Sequence, residues 1–301
     1  MELKYFILDV FTKEAFGGNQ LAVYPEATGV PEEVLQRIAN EMNLSETTFV
    51  YPPTQDGCDY KVRIFTPGQE LPMAGHPTLG TSYVLAQNQD LTGKSEILLT
   101  LEEGVGPIPV DIKVEQGKPG LITMQQPNPK ISDPFEDRVA IAQLLSLNQE
   151  DLVEDLPVQV LDCGVPYMIV PVKDLNSVRA IKYRLDIYDK LYQDYKIPFT
   201  LIYTLETEEA QNDVHCRMFA PEAGILEDPA TGSAHGPLGS YLALYNILGE
   251  GNIQFISEQG YELGRPSQLE VAIEKSDNSI SKVLVGGYCV LMGEGKLQLN
   301  L

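Results

Sequence analysis

One stretch of this chain occurs twice, and the repeat restricts the possible folds more than any other feature. Residues 63–85 read RIFTPGQELPMAGHPTLGTSYVL, and residues 217–242 read RMFAPEAGILEDPATGSAHGPLGSYL. Each copy begins Arg-apolar-Phe-small-Pro and runs through a glycine turn into an apolar, helix-like segment. Two copies that start 154 residues apart (217 − 63) are too few and too widely spaced for a solenoid. The repeat instead predicts two similar half-molecules facing each other across a cleft.

The order of predicted elements is also similar in the two halves. Each half opens with a pair of strands around a glycine turn and continues with a helical region, at about 31–43 in the first half and 178–192 in the second. Two more strands, the repeated motif and an apolar helix follow in both. The proline-rich segment 120–134 is interpreted as the crossover. The last strand has no counterpart before the crossover, which suggests that it returns to the N-terminal sheet.

These patterns predict an α+β fold of two pseudo-symmetric halves. Each half is expected to be a barrel-like, mostly antiparallel sheet wrapped around the helix that follows its glycine motif, because that helix is apolar on most sides. The first half would comprise residues 1–118 plus the C-terminal strand at about 287–301, and the second residues 119–286.

Composition narrows the possible partners. The formal net charge of −22 repels phosphate backbones and anionic lipid, so we expect neither nucleic-acid nor membrane partners. The N-terminus does not resemble a signal peptide, and we expect a cytoplasmic protein. The cysteines are scattered and are interpreted as structural residues of a reducing compartment, with no metal site. They are Cys58, Cys163, Cys216 and Cys289.

Each glycine motif lies where a strand gives way to a helix. The first N–H groups of a helix lack internal partners and the helix dipole is positive there, so AGHPT (74–78) and TGSAHG (231–236) are candidate anion sites. If the halves face each other, a small carboxylate held between the motifs is the natural ligand. The alternative is that both are ordinary helix starts capped by Thr78 or Ser233.

The differences between the copies indicate the chemistry. Glu46 precedes the first motif, and the matching stretch of the second half has no carboxylate. Asp228 stands in place of Leu71, and Ser233 in place of His76. A cleft lined by Glu46, His76, Asp228 and Ser233 would hold one carboxylate for proton transfer, and burial would raise its pKa towards useful values.

Each of these candidate residues also has a purely structural interpretation. Glu46 could be a surface cap, and His76 a locally hydrogen-bonded helix-start residue. Asn19 and Gln20, after the first glycine turn, fit a place in the cleft and ordinary turn positions equally well.

Five ordered segments resemble the PhzF-like phenazine-biosynthesis isomerase family. The resemblance covers essentially the whole chain and implies the diaminopimelate epimerase-like fold, a homodimer, and isomerisation of a dihydro-hydroxyanthranilic acid without cofactor or metal. It further implies that Glu46 is the acid/base. It matches His76, Asp228, Ser233, Gly75 and Gly232 to positions that bind or orient substrate. The segments are FGGNQLAV, NLSETTFV, RIFTPGQELPMAGHPTLG, DPATGSAHGPLG and GRPS.

The resemblance also includes a departure. Related epimerases and proline racemases use one thiol per half, just before the motif glycine, where this chain has Ala74 and Thr231. A two-thiol racemase is therefore excluded, and a single base suits a proton shift on one face of the substrate. We expect catalysis by Glu46, His76 and Asp228, with substrate bound by Asn19, Gln20, Gly75, Thr231, Gly232 and Ser233.

The predicted function is thus a cofactor-independent isomerase acting on a small carboxylate-bearing molecule. Two alternatives stay open at this point. One is another proton-transfer enzyme, an epimerase or lyase acting on a small amino or hydroxy acid. The other is a non-catalytic ligand-binding or interaction module on the same fold.

Overall fold

The computed structural model describes residues 1–276 and 279–299. Within these residues strands far outnumber α-helices, so the predicted sheet-dominated α+β class is confirmed. The helices are α1 Glu32–Met42, α2 Gly75–Gln87, α3 Arg138–Leu145, α4 Leu175–Ala180, α5 Leu185–Tyr195 and α6 Gly232–Leu244. The strands are β1 Glu2–Val10, β2 Asn19–Tyr24, β3 Glu46–Tyr51, β4 Tyr60–Phe65, β5 Glu70–Leu71, β6 Glu96–Glu103, β7 Gly106–Glu115, β8 Lys118–Gln126, β9 Lys130–Pro134, β10 Gln159–Asp162, β11 Pro166–Pro171, β12 Phe199–Thr204, β13 Val214–Ala220, β14 Ile225–Asp228, β15 Ile253–Gln259, β16 Ser267–Ser276, β17 Ser279–Gly287 and β18 Cys289–Gln298.

The chain divides into two compact units. The first contains Met1–Gln126, Ala230–Ser233 and the chain from Leu284 onward, and the second contains Pro127–Pro229 and Ala234–Val283. The predicted domain boundaries at 118/119 and about 286/287 stay a prediction.

In the first unit, β1 and β2 form an antiparallel hairpin, and β2 continues into a parallel pairing with β3. Strand β4 is antiparallel to β3 and β5 and parallel to β6. Strands β6, β7 and β8 then form an antiparallel meander. The last strand, β18, pairs with β1 along its whole length, from Glu2 opposite Gln298 to Val10 opposite Cys289.

The second unit repeats this pattern strand for strand. Hairpin β10–β11 is antiparallel, β11–β12 parallel, β12–β13 and β13–β14 antiparallel, and β13–β15 parallel. The meander continues as the antiparallel pair β15–β16. Because the directions and their order match those of the first unit, the sequence repeat is a structural repeat.

Each motif helix begins inside its glycine motif. In α2, eleven of thirteen residues are buried, as expected for a helix enclosed by its sheet. A Cβ on Gly80 would lie only 2.5 Å from Leu21 Cδ2, so a glycine here lets the helix approach β2 closely. Helix α6 starts at Gly232, inside the TGSAHG motif, and contains Pro237 within it.

The helix α1 lies on the outer side of the first sheet. Pro31 is extended and precedes Glu32 and Glu33 in the first turn, a favourable helix start, and Asn43 ends the helix in the left-handed conformation. Its apolar residues pack on a stack in which the Tyr24 and Phe49 ring centroids lie 5.1 Å apart.

The structure adds detail to one local prediction and corrects another. Segment 120–134 contains the passage from the first unit to the second, between Gln126 and Pro127, and it also contains most of β8 and all of β9. The helical region 178–192 is broken into α4 and α5. The break occurs because Lys182 and Arg184 N–H groups donate to the carbonyls of Leu145 and Leu144 in α3.

No helix within residues 1–276 and 279–299 is both long enough and apolar enough to cross a membrane.

Candidate active site

Glu46 and His76 come together in the first unit. Glu46 is the first residue of β3 and lies beside Leu21 of the parallel strand β2. His76 is the second residue of α2. The side chains are buried, with residue exposures of 7% and 3%, and His76 Nε2 lies 3.0 Å from Glu46 Oε2. The strand start and the helix start therefore bring a carboxylate and an imidazole within hydrogen-bonding distance.

The start of α2 lacks a capping residue of the Ser, Thr, Asp or Asn type. Ala74 occupies the N-cap position in an extended conformation, and its methyl group cannot accept a hydrogen bond. The Thr78 hydroxyl instead donates to the Ala74 carbonyl at 2.7 Å, so the alternative in which Thr78 caps the helix is wrong. Ser233 lies second in α6, past the cap position. The first turn of α2 thus keeps the character of an anion site.

Gly75 and Gly232 lie against each other in the first unit. A Cβ on Gly75 would come within 2.4 Å of Gly232 Cα and 2.5 Å of Ser233 N. A Cβ on Gly232 would come within 2.7 Å of Phe11 Cζ. Since the obstacles to a Cβ on Gly75 are backbone atoms, only glycine fits there.

Amide side chains support the second motif from behind. Asn19 Nδ2 donates to the Ala230 carbonyl at 2.9 Å, and Gln126 Nε2 donates to the Gly232 carbonyl at 2.9 Å. Gln126 was not identified from the sequence, because nothing in a lone glutamine at a strand end distinguishes it. Thr231 and Ser233 are buried beside these groups, and Gln20 is half-buried in β2. The substrate-binding roles of Asn19, Gln20, Thr231 and Ser233 stay predictions.

Asp228 belongs to the second unit, where it ends β14. It is 5% exposed, and its backbone carbonyl accepts a hydrogen bond from Gln259 Nε2 at 2.7 Å. The short β14 is held by β13, with Met218 opposite Asp228. Its catalytic role stays a prediction.

A further buried carboxyl group of the first unit, Glu103, was not identified from the sequence. Glu103 ends β6, is 5% exposed, and its Oε1 lies 2.5 Å from the Thr78 hydroxyl. Burial raises the pKa of Glu103 to about 8. The signal was present in the sequence as the pair Glu102-Glu103, since neighbouring residues of a strand point to opposite faces and one of the two must face inward.

The four cysteines lie outside both glycine motifs. All four are free thiols, and burial raises the pKa of Cys163 and Cys216 to about 12. Among the described residues, no group of three or more His, Cys, Asp or Glu side chains could hold a metal ion.

A carboxylate and an imidazole buried together at the start of an enclosed helix can take up and release a proton beside a bound anion. The chain presents this pair on a fold of two similar α+β units. The chain belongs to the phenazine biosynthesis-like (PhzC–PhzF) family, whose profile matches residues 8–295.

Individual relatives agree. The trans-2,3-dihydro-3-hydroxyanthranilate isomerase of Pseudomonas aeruginosa is 35% identical over 98% of this chain and 99% of its own. The crystal structure of a PhzF-family phenazine biosynthesis protein of Bacillus anthracis superposes with a TM-score of 0.87 at 28% identity, covering 99% of this chain and 100% of the other. A hydroxyproline epimerase of Agrobacterium vitis shares the fold, with a TM-score of 0.67 at 12% identity over 98% of this chain and 91% of its own. The predicted family, fold and isomerase class are confirmed.

Proposed function

We propose that this protein is an isomerase that moves a proton within a small carboxylate-bearing molecule, with Glu46 as the acid/base. The observation that carries the proposal is the buried Glu46–His76 pair at the start of α2, with a separation of 3.0 Å between Oε2 and Nε2. The similarity to the Pseudomonas aeruginosa enzyme makes trans-2,3-dihydro-3-hydroxyanthranilate the first compound to test.

The roles follow from the chemistry of the groups. Glu46 removes a proton next to an activating group and returns it elsewhere on the same face, which needs only one base. His76 orients that carboxylate and binds the amine or hydroxyl of the substrate. The first N–H groups of α2 hold the substrate carboxylate, because a helix N-terminus favours negative charge.

The remaining parts of the proposal concern the second motif, the cofactor and the partners. We assign Asp228 to the substrate amine or hydroxyl, and Thr231, Gly232 and Ser233 to its carboxylate, on the strength of the family resemblance. The family resemblance also leads us to expect a homodimer that needs no cofactor. The scattered cysteines lead us to expect a cytoplasmic protein, and the net charge of −22 leads us to expect no nucleic-acid or membrane partner.

The test is turnover in heavy water. The protein is incubated with trans-2,3-dihydro-3-hydroxyanthranilate, and with a panel of small amino and hydroxy acids, while NMR follows both isomer formation and deuterium incorporation. Glu46→Gln removes the base and is expected to slow the reaction about 10²–10⁴-fold. The control is Glu41→Gln, which makes the same change at an exposed position of α1. An unchanged rate in Glu46→Gln would refute the assignment of Glu46.

A further inference from the structure

The Thr78 hydroxyl makes two short contacts, to Glu103 and to Ala74, but it has only one proton to donate. Thr78 Oγ1 lies 2.5 Å from Glu103 Oε1 and 2.7 Å from the Ala74 carbonyl oxygen. A hydroxyl group has one proton, so Thr78 can donate to only one of these two acceptors. Both short contacts are satisfied together only if the Glu103 carboxyl is itself protonated and donates to Thr78.

The protonation state of Glu103 therefore decides how Ala74 is held. With a neutral carboxyl, Glu103 donates to Thr78 and Thr78 donates to the Ala74 carbonyl. With an ionised carboxyl, Thr78 must turn its proton to Glu103, and Ala74 loses the hydroxyl bond. Ala74 directly precedes Gly75 and His76, so the change reaches the turn that carries the imidazole.

The surroundings of Glu103 favour the neutral carboxyl. Burial raises its pKa to about 8, although the hydrogen bond from Thr78 opposes this rise. Among the described residues, Oε2 has no hydrogen-bond partner, and no cation is paired with Glu103. Cations of neighbouring strands are engaged elsewhere: Lys61 with Glu102, and Arg63 with Glu70 and Glu32. The ionisable groups that share a pocket with Glu103 are Lys61 and Arg63 of β4, Glu70 of β5, Glu32 of α1, and Glu102 on β6 itself. Helix α2 carries His76 and Tyr83, and the paired strand β7 carries Asp111, Lys113 and Glu115.

We propose that Glu103 is a positioning residue whose neutral carboxyl, acting through Thr78, fixes the Ala74 carbonyl and with it the turn that presents Gly75 and His76 to Glu46. Its importance for turnover rests on the proposed function, whereas its effect on the turn does not.

The second unit contains a parallel. Lys61 and Glu102 are register partners in β4 and β6, and His215 and Glu258 are register partners in β13 and β15. The next residue is Glu103 in one unit and Gln259 in the other. Gln259 donates from its neutral amide to the Asp228 carbonyl, in the segment that leads into the second motif. Each unit thus places a neutral hydrogen-bond donor at this position, close to its motif. In the first unit, ionisation of the Glu103 carboxyl removes that donor.

Two measurements without substrate test the positioning role. Carbon NMR of the protein labelled at glutamate carboxyl carbons, compared with Glu103→Gln, identifies the Glu103 signal, which is expected to titrate near pH 8. Amide exchange measured by mass spectrometry, corrected for intrinsic rates, is expected to show the amides of Thr78 and Leu79, the first in α2 with helical acceptors, losing protection as pH rises through 8. Glu103→Gln should keep that protection to pH 9.5, because its amide is a permanent donor.

Thr78→Val is the complementary variant. It retains Glu103 but breaks the connection to Ala74, so protection of the amides at positions 78 and 79 should be low at every pH. A Glu103 signal that titrates near the ordinary value of about 4.3 would overturn the proposal. So would identical pH dependence of protection in the wild type and Glu103→Gln.

Turnover gives the third readout. In the wild type kcat/KM should fall about fivefold to tenfold as pH rises from 7 to 9, the equivalent of one lost hydrogen bond, and Glu103→Gln should abolish that fall. If no compound is turned over by the wild type, the proposed function fails while the NMR and exchange results still decide the role of Glu103. If turnover occurs with the same alkaline limb in Glu103→Gln, the positioning role fails alone.

Discussion

Each unit contains a glutamate paired with a cation on the neighbouring strand, at equivalent places in the repeat. The two pairs differ in their surroundings. In the first unit Glu102 is paired with Lys61 at 3.1 Å, and in the second Glu258 is paired with His215 at 2.8 Å. Each glutamate also accepts two successive backbone N–H groups of a nearby loop. The donors are Thr54 and Gln55 for Glu102, and Glu208 and Glu209, each 154 positions later, for Glu258.

The difference between the two lies in their access to solvent. The Lys61 side chain is 37% exposed, whereas His215 is fully buried between Glu258 and Glu262. Hydrogen bonds from Thr54, followed by those of Lys61 and Gln55, lower the pKa of Glu102 to about 2 despite an opposing effect of burial. In both units the glutamate therefore binds the backbone of a nearby loop. Its cation is partly exposed to solvent in the first unit and buried in the core of the second.

The largest expected effect comes from removing the two cations. His215→Leu leaves Glu258 and Glu262 without their buried partner and should destabilise the second unit by about 3–5 kcal/mol. Lys61→Met removes a half-exposed partner from a glutamate that keeps its other hydrogen bonds, and should cost the first unit at most about 1 kcal/mol. Urea unfolding measures the two losses of stability. It is followed by hydrogen exchange in each unit separately, because the two units need not unfold in one step.

Equal losses in the two variants would show that burial of the His215–Glu258 pair does not change its contribution to the free energy of unfolding. A larger loss in Lys61→Met would reverse the comparison altogether.

The same contrast has a pH dependence. Burial alone would lower the pKa of His215, but hydrogen bonds to Glu258 and Glu262 overcome it and raise the pKa from 6.5 to about 9. A raised pKa contributes stability that is full below 6.5 and is lost as pH rises through 9, here about 3 kcal/mol. The pKa values of Glu258 and Glu262 are lowered despite burial, so their contribution is lost on acidification below about 4.5.

The second unit should accordingly be most stable between about pH 4.5 and 6.5. Amide exchange in β13 and β15, at pH 6, 7.5 and 9, reports on this unit without interference from the buried Glu103 of the first. His215→Leu should remove the alkaline loss, and Lys61→Met should retain it. A wild-type second unit equally stable at pH 6 and 9 would contradict the charged state assigned to His215.

A smaller effect is expected from filling the contact between the glycine motifs. Gly75→Ala places a methyl group 2.4 Å from Gly232 Cα, and since backbone cannot move aside as a side chain can, we expect a loss of about 1–3 kcal/mol. Gly68→Ala, in the loop before the same motif, meets nothing closer than 3.9 Å and should be nearly neutral. The urea midpoints of the two variants decide the matter. An unchanged urea midpoint in both variants would show that Gly75 and Gly232 are not in the close contact on which this prediction rests.

The sequence was sufficient to predict much of this fold, for identifiable reasons. The repeated motif fixed the two-unit organisation, and the apolar runs after Gly75 and Gly232 predicted enclosed helices. Glu46 and His76 were found because each differs from its counterpart in the other copy. The break between α4 and α5 was missed, because it depends on hydrogen bonds to α3, which is 30 or more residues away in sequence.

Side-chain environment was the part that the sequence could not supply. Glu102 and Glu103 are adjacent and identical in type, yet one has a pKa of about 2 and the other of about 8. Alternation along a strand says that they face opposite sides but not which side holds Thr54 and Lys61. That assignment requires the tertiary pairing of β4 with β6.

The smallest predicted difference concerns the arginine that opens each motif. Arg63 binds Glu70 with two hydrogen bonds of 2.7 Å at a partly exposed place. Arg217 binds Glu227 in the same way, but its side chain is only 9% exposed, and its Nη1 also donates to the Val178 and Ile181 carbonyls. These carbonyls lie at the end of α4 and just after it.

Lysine keeps the charge of arginine but cannot make the forked contact or reach additional carbonyls at the same time. Arg217→Lys should therefore cost about 1–2 kcal/mol, because it leaves buried carbonyl oxygens without a donor. Arg63→Lys should cost about 0.5 kcal/mol, the usual size for a solvated ion pair. Amide exchange at 175–184 should rise only in Arg217→Lys, since those residues lose their tie to β13. If Arg63→Lys costs as much, the motif arginines serve the same local role in both units, and their difference in burial carries no energy.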